Sequence, residues 1–490
     1  MKPTLAAASA LLLLLSGCMV GPDFRPPAAP TDLTFTAPDE QPVTEQDIKL
    51  GERIEGEWWD LFASHDLSAV VKQATEGNRT VASAEAKLAQ AREAVAAASG
   101  GLLPQADLAA AASRQKVSLA AFGFNGVSGF APPGGSLPPF SLFTLGPSVS
   151  YALDIFGGTR RTIEQRAAEA DNKAYRADAA YLTVSGNAVA AALTMASIAS
   201  QLKQVDAIIA EDERTLALVR GARAAGAVSN VDVLSAESQL ANDRTLTAPL
   251  KQQLSAARHA LALLVGATPG SWTPPPFDLD ALTLPRAIPV TLPSELVHQR
   301  PDILAAEADL HAASAAVGVA TARLYPSITL TASVTQEAND LGHIFTGPAN
   351  VWSLAAGLTA PLFHGGTLTA EKRAAVDAYQ ASLADYQQVV LQSFAQVADL
   401  LEALAHDGEQ LEAQRRALDA SNASLSLTRE SYQAGNIGLL QVLDSERQNQ
   451  RARLGFVQAR AQQFLDTAQL YVALGGGWWD WVKPAAAPAS

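Results

Sequence analysis

The chain has 490 residues, 48% of them of hydrophobic type and only 17% charged, which is apolar material enough for a large buried core. A formal net charge of −14 with no basic arm or stripe argues against a nucleic-acid partner. The single cysteine excludes a disulfide framework and a thiolate metal cluster.

The N-terminus reads as a secretory leader. Lys2 precedes an apolar run from Leu5 to Leu15, too short to span a bilayer, and the run ends in Leu15-Ser16-Gly17-Cys18. That tetrad resembles a bacterial lipobox. The resemblance implies that Cys18 is the first mature residue and carries a diacylglycerol and an N-acyl chain, and that Met19, standing where an Asp would retain the protein, sends it to the outer membrane. Two or more acyl chains anchor stably where one does not. No other bound group is expected, so this covalent lipid on Cys18 takes the place of a cofactor. The mature chain shows no apolar run of about 18 residues, so a membrane crossing is expected only through a closed β-barrel.

The rest of the chain is written twice. Ala84-Glu85-Ala86-Lys87-Leu88 leads to Leu102-Leu103-Pro104, and Ala306-Glu307-Ala308-Asp309-Leu310 leads to Leu324-Tyr325-Pro326, at an offset of 222. Phe156-Gly157-Gly158 recurs as Phe363-His364-Gly365-Gly366. Arg220, Gly226, Val233-Leu234 and Glu237 return as Arg429, Gly435, Val442-Leu443 and Glu446, at an offset of 209.

Each half holds two segments of period two. Val149, Tyr151, Leu153 and Ile155 alternate in the first half, beside a weaker Ala-rich run from Gln105 to Lys116. From Leu324 to Gln336, Ile328, Leu330, Ala332 and Val334 fall on one side and Ser327, Thr329, Thr331, Ser333 and Thr335 on the other, and a fourth run spans Trp352 to Leu362. These predict four strands with one apolar face, about 10 to 13 residues each, long enough to cross a bilayer when tilted.

The period then changes to seven. Leu383, Val390, Val397, Leu404, Leu411, Leu418, Leu425 and Tyr432 recur at that spacing, and Tyr181, Ala188, Met195, Leu202, Ile209 and Leu216 do so in the first half. A sustained seven-residue repeat predicts long helices supercoiled against neighbours. The helix from Thr367 to Tyr432 should run on the order of 100 Å, turn at Gly435-Asn436-Ile437-Gly438 and return from Leu439 to Leu474.

Four strands cannot close a barrel, and an open sheet edge in lipid would cost several kcal/mol per unpaired group. Copies of the chain must therefore pool strands, and three copies, giving twelve, leave a lumen where two would not. The fold class expected is an α+β membrane protein: a homotrimeric 12-stranded β-barrel, four strands per chain, continued by a coiled-coil α-barrel.

The chain resembles the outer-membrane factor family of TolC-like and NodT-type efflux lipoproteins. The marks are Val20-Gly21-Pro22-Asp23-Phe24, Trp58-Trp59 with Phe62, Arg300-Pro301-Asp302-Ile303 with Ala306-Glu307, Pro361-Leu362-Phe363 with the Gly pair, and Ala473-Leu474-Gly475-Gly476-Gly477-Trp478. The resemblance implies an exit duct for drugs or other small toxic molecules, anchored in outer-membrane lipid and docked through a periplasmic adaptor to an inner-membrane efflux pump. It also implies an equatorial domain. On that plan residues 1–17 are leader, 18–60 linker and equatorial segment, 61–280 the first repeat, 281–475 the second and 476–490 a tail.

The family's narrowest point matches Leu440-Gln441-Val442-Leu443-Asp444, where Leu440 and Asp444 stand one helical turn apart. Three copies would stack a leucine ring and a carboxylate ring. Asp232 matches an aperture-lining acid of the first repeat, and Ile437 stands where some relatives carry a basic locking residue. An acid at 444 equally suits a helix N-terminal turn. The tips for adaptor contact are Gly226 and Asn230 in the first half and Gly435, Asn436 and Gly438 in the second, although plain connectors need the same glycines. No HExxH, Walker loop or GxSxG is present and the seven histidines are scattered, so no enzyme is expected and no metal site. The competing class is a lipid-anchored coiled-coil scaffold or adhesin without a pore.

Overall fold

The computed structural model describes residues 19–31, 34–36, 46–54, 56–116 and 138–478. Cys18, the leader and the tail beyond Trp478 lie outside the described residues. In chain order the elements are strand β1 (Asp47–Leu50), a 3-10 turn (Trp58–Phe62), helices α1 (His65–Gly77) and α2 (Arg79–Gly100), strands β2 (Gln105–Gln115) and β3 (Phe140–Leu153), and helices α3 (Gly158–Ala224), α4 (Asn230–Arg244) and α5 (Thr247–Leu264). The second half follows with β4 (Ala287–Val290), α6 (Pro293–Leu296), α7 (Pro301–Ala322), β5 (Ser327–Ala338), β6 (Asn350–Thr359), α8 (Thr367–Gln433) and α9 (Leu439–Ala473).

These elements form two compact units. The first, made of Met1–Pro26, Ala89–Asp171 and Ala308–Leu383, holds a four-stranded antiparallel sheet in the order β2-β3-β5-β6. Its register pairs Ile328 with Leu153 and Leu358, Leu330 with Tyr151 and Ala356, Ala332 with Val149 and Leu354, and Val334 with Trp352. All of these share one face, and Leu330, Val334, Trp352, Leu354 and Leu358 are exposed on it. The opposite face pairs Thr329 with Gly357, Thr331 with Ala355 and Ser333 with Ser353, whose hydroxyls lie 2.9 Å apart. An apolar face backed by a polar one is the pattern of a wall between lipid and water. The outermost strands β2 and β6 each have one unpaired edge.

Strand β3 starts at Phe140, earlier than the alternation of Val149 to Ile155 indicated. Gly146-Pro147 breaks the pattern: Pro147 has no N–H to donate, and a Cβ on Gly146 would lie 2.1 Å from the Val334 carbonyl oxygen. The β3·β5 ladder skips these two residues while β2 stays in register beside them. Strand β6 ends at Thr359 rather than reaching Leu362, because Pro361 cannot continue the ladder.

The second unit, Pro27–Leu88, Asn172–Glu307 and Ala384–Ser490, contains the main core and the parallel pair β1·β4. Trp58, Trp59 and Phe62 are buried there with Val189, Leu193, Leu261, Val397, Leu404, Phe464 and Tyr471, and Trp58 stacks on Tyr471 at 5.5 Å. Arg300 closes the far end of α9: its guanidinium donates to the Ala473 carbonyl at 2.8 Å, one of the orphan acceptors of a helix C-terminus, and pairs with Asp302 at 2.7 Å.

Helices α3 and α8 have 67 residues each, about 100 Å of helix. Val390, Val397, Leu404, Leu411 and Leu425 of the seven-residue series are buried along α8, as the repeat requires. The return helices differ between the halves. Helix α9 is continuous, whereas its first-half counterpart is broken at Thr245-Leu246 into α4 and α5. Pro249 is the cause: its ring excludes a helical carbonyl at residue 245, and Gln458 stands at the matching place in α9. Contrary to the reading that no helix could cross a bilayer, α3 and α7 each carry an 18-residue window long and apolar enough by composition. These windows are 61% and 56% buried inside the protein, as in helices of a core.

Candidate aperture and helical tips

Both helical hairpins turn by the same device. Ala227 N–H donates to Ala222 O at 2.9 Å and Gly226 N–H to Arg223 O at 3.0 Å; Asn436 N–H donates to Ser431 O at 2.9 Å and Gly435 N–H to Tyr432 O at 2.9 Å. This is the Schellman closure, which needs a left-handed residue, and Gly226 and Gly435 supply it with φ of 76° and 75°. The next helix starts with its capping residue held by the side chain three residues on. In the first half Ser229 Oγ accepts from Asp232 N–H while Asp232 Oδ2 accepts from Ser229 N–H at 2.8 Å and from its hydroxyl at 2.7 Å. In the second half Gly438 N–H donates to Gln441 Oε1 at 3.0 Å. Asn230 opens α4 directly after the Ser229 cap, so the glycines, Asn230 and Asn436 do cluster at the two turns.

Beneath the turns, Val219, Leu439, Val442 and Leu443 are buried together, with Val228, Val233, Tyr432 and Ile437 packed on them. This apolar plug ties the first tip to the second. Ile437 thus contributes packing where a basic residue would offer a charge.

Leu440 and Asp444 do share a face. Both line one shallow groove with Leu427, Ser431, Ile437 and Gln441, and Leu440 is 62% exposed. Asp444 lies beyond the first turn of α9, so the helix-dipole explanation for it fails. Its carboxylate accepts from Arg447 at 3.1 Å and from Gln448 at 2.8 Å, both on α9 itself. Asp232 is placed differently. It sits in the cap, where the Ser229 hydroxyl and then the Ser229 N–H hold its carboxyl below the usual carboxylate range, and its repeat partner is Gln441, while Ser235 stands opposite Asp444.

The repeated Arg and Glu form an ion pair across each hairpin, a contact that their spacing of 17 in both halves could have signalled. Arg220 and Glu237 meet at 2.7 Å in the open, whereas Arg429 and Glu446 meet at 2.9 Å with Glu446 only 3% exposed. Arg429 also reaches Glu211 of α3 at 3.3 Å, and Arg453 of α9 reaches it at 3.0 Å. Buried acids nearby went unnoticed in the sequence. Asp212 of α3 lies against Asp243 of α4; burial and then this carboxyl neighbour push Asp212 up to about 8. Asp407 of α8 and Asp466 of α9 form a second such pair, with Asp407 pushed up to about 7, first by burial. No group of three or more His, Cys, Asp or Glu among the described residues could hold a metal ion.

The outer membrane efflux protein family matches residues 70–267 and 292–476. The chain belongs to this family. It is therefore an efflux transport protein of the outer membrane, from a family of channels rather than enzymes. It is 31% identical over 469 residues to the pyoverdine export outer membrane protein OpmQ of Pseudomonas aeruginosa, covering 95% of this chain and 97% of that one. It is 29% identical to the toluene efflux pump outer membrane protein TtgF of Pseudomonas putida, over 96% of each chain. Among solved structures, the outer-membrane channel OprN superposes with a TM-score of 0.83 at 28% identity, covering 94% of this chain and all of that one. The open state of the Neisseria gonorrhoeae outer membrane channel MtrE gives 0.78 at 26% identity, over 94% and 99%.

Proposed function

We propose that three copies of this chain close a 12-stranded β-barrel and a helical tube beneath it, forming the exit duct of a tripartite efflux system. The observation that carries this is the open sheet: four strands of 10 to 14 residues with one apolar face and free edges at β2 and β6. Such edges are tolerable in lipid only when another copy pairs with them. The doubled plan of strand pair and 67-residue helix supports a repeat that sets two hairpins per subunit around the tube. The domain plan is equatorial segments within 18–60, the repeats at 61–280 and 281–475, and a tail at 476–490.

The duct hangs from a lipid on Cys18, receives drugs or other small toxic molecules from an inner-membrane pump, and meets a periplasmic adaptor at the tips Gly226, Asn230, Gly435, Asn436 and Gly438. The named cargos of relatives range over pyoverdine, toluene and cations, which fits a duct that leaves selection to its pump. Leu440 and Asp444 form the closing rings, and Asp232 lines the aperture in the first repeat with its carboxylate held in the α4 cap. Asp444→Ala should raise single-channel conductance in a planar bilayer severalfold while Asp232→Ala changes it little. Equal conductance of parent and Asp444→Ala would remove Asp444 from the gate.

A further inference from the structure

Met19, Val20, Gly21, Asp23 and Phe24, directly after Cys18, contact a fitted socket in the same unit as the sheet. Arg161 of α3 is its floor. With a side chain only 1% exposed, it donates to Val20 O at 3.1 Å, to Gly21 O at 3.3 Å and to Asp23 Oδ1 at 2.8 Å, and Glu164 balances it at 2.7 Å. Glu164 also meets His311 at 3.0 Å, and Phe24 stacks on that imidazole at 4.4 Å. Three glycines make the fit. A Cβ on Gly21 would come 2.4 Å from Gly318 Cα, one on Gly318 would come 2.7 Å from Arg161 Cδ, and one on Gly157 would come 2.6 Å from Met19 Cγ.

The socket has a definite address. Val20 N–H donates to Phe156 O at 3.1 Å, just past the end of β3, and the Phe156 ring stacks at 4.7 Å on Tyr325, just before β5 begins. Met19, the residue bonded to Cys18, therefore lies at the root of both central strands. A tether that merely kept the protein at a membrane would need none of this, since a free linker would serve as well.

We propose that this socket aims the lipid anchor: it delivers the acyl chains of Cys18 at the root of β3 and β5, so that acylation helps seat the strands in the bilayer. This rests on the reading that Cys18 is acylated. Arg161 acts as a positioning residue, holding the backbone of Val20 and Gly21 rather than touching lipid.

The test uses the full chain expressed with its leader in a Gram-negative host. Four proteins are compared: parent, Cys18→Ala, Arg161→Ala, and a variant with ten Gly/Ser residues inserted between Cys18 and Met19. The insertion keeps every socket contact but lets the lipid wander by roughly 17 Å. It also decides the matter if Arg161→Ala fails to fold. Two quantities are read, incorporation of labelled palmitate and the fraction of protein resistant to urea extraction from membranes. The proposal expects the insertion variant to be labelled like the parent yet to lose threefold or more of the resistant fraction, approaching Cys18→Ala. A labelled insertion variant that resists extraction like the parent overturns the aiming role alone. An unlabelled parent overturns the acylation reading, and this proposal with it.

Discussion

Arg429→Ala is expected to destabilise the protein by about 3 kcal/mol, whereas Arg220→Ala, the same position of the first repeat, should cost about 1 kcal/mol or less. The two arginines make the same contact in different surroundings. Glu237 is 39% exposed and can fall back on water when Arg220 is removed. Glu446 is 3% exposed, its Oε1 depends on Arg429 and on Thr215 at 3.3 Å, and its Oε2 has no partner. Removing the guanidinium leaves a carboxylate in the interior, and the low end of the usual cost applies because Arg429 itself is 38% exposed. Thermal melting followed by circular dichroism in detergent measures both variants. Adding Glu446→Gln to Arg429→Ala should recover part of the loss, since no charge is then stranded. Equal losses for Arg429→Ala and Arg220→Ala would contradict the burial argument.

Raising the pH from 6 to 9 should loosen the helical hairpins, and Asp212→Asn should abolish most of that sensitivity. Asp212 faces Glu211 on its own helix, Asp243 on α4, and Glu446 and Gln450 on α9, with Arg429 of α8 reaching Glu211 and Glu446 and Arg453 of α9 reaching Glu211. One proton shared between Asp212 and Asp243 makes a hydrogen bond; its loss sets two carboxylates against each other. The folded carboxyl titrates near 8 against 3.8 when unfolded, so between those values the folded state holds a proton that the unfolded state lacks. Stability then falls as pH rises, opposite to the usual behaviour of a salt-bridged Asp, by on the order of 2 kcal/mol between pH 6 and 8. Asp407 adds to this in the same direction up to about 7. An amide at 212 donates to Asp243 at every pH, so the melting temperature of Asp212→Asn should stay nearly level where the parent's drops. A parent whose melting temperature rises or stays flat from pH 6 to 9 would show that the pair carries no shared proton.

What could be read along the chain depended on how far apart the interacting residues lie. Helix α8 was expected from Thr367 to Tyr432 and runs to Gln433, because seven-residue periodicity is a local signal repeated eight times. The sheet faces followed from alternation in the same way, and the tip glycines from the demand of a left-handed turn. Where composition hid the period, boundaries slipped, as at Gly146-Pro147 in β3. The break between α4 and α5 has its local cause in Pro249, which the matching stretch of α9 lacks. Contacts across long separations left little trace. Nothing in the neighbourhood of Arg161 reveals that Val20 is its partner, and Asp212 and Asp243 look like two solvated acids on Ala-rich helices until folding buries them at 3% and 7% exposure. Asp232 could be matched by position, but its hydrogen bond to the serine three residues before it emerges only from the folded cap.

The trimeric barrel is tested most directly by pairing its free edges. Single cysteines on the polar face of β2, at Ala109 or Ala111, are combined with cysteines on the polar face of β6, at Ser353 or Ala355, with the acylated Cys18 kept, and oxidised in detergent-solubilised protein. Because β2 and β6 lie at opposite edges of one sheet, a closed barrel of three copies predicts disulfides between subunits and a covalent species of three chains on a denaturing gel. Monomers alone at every pair, from protein that stays folded without detergent, would contradict it, and so would a ladder ending at two chains or four.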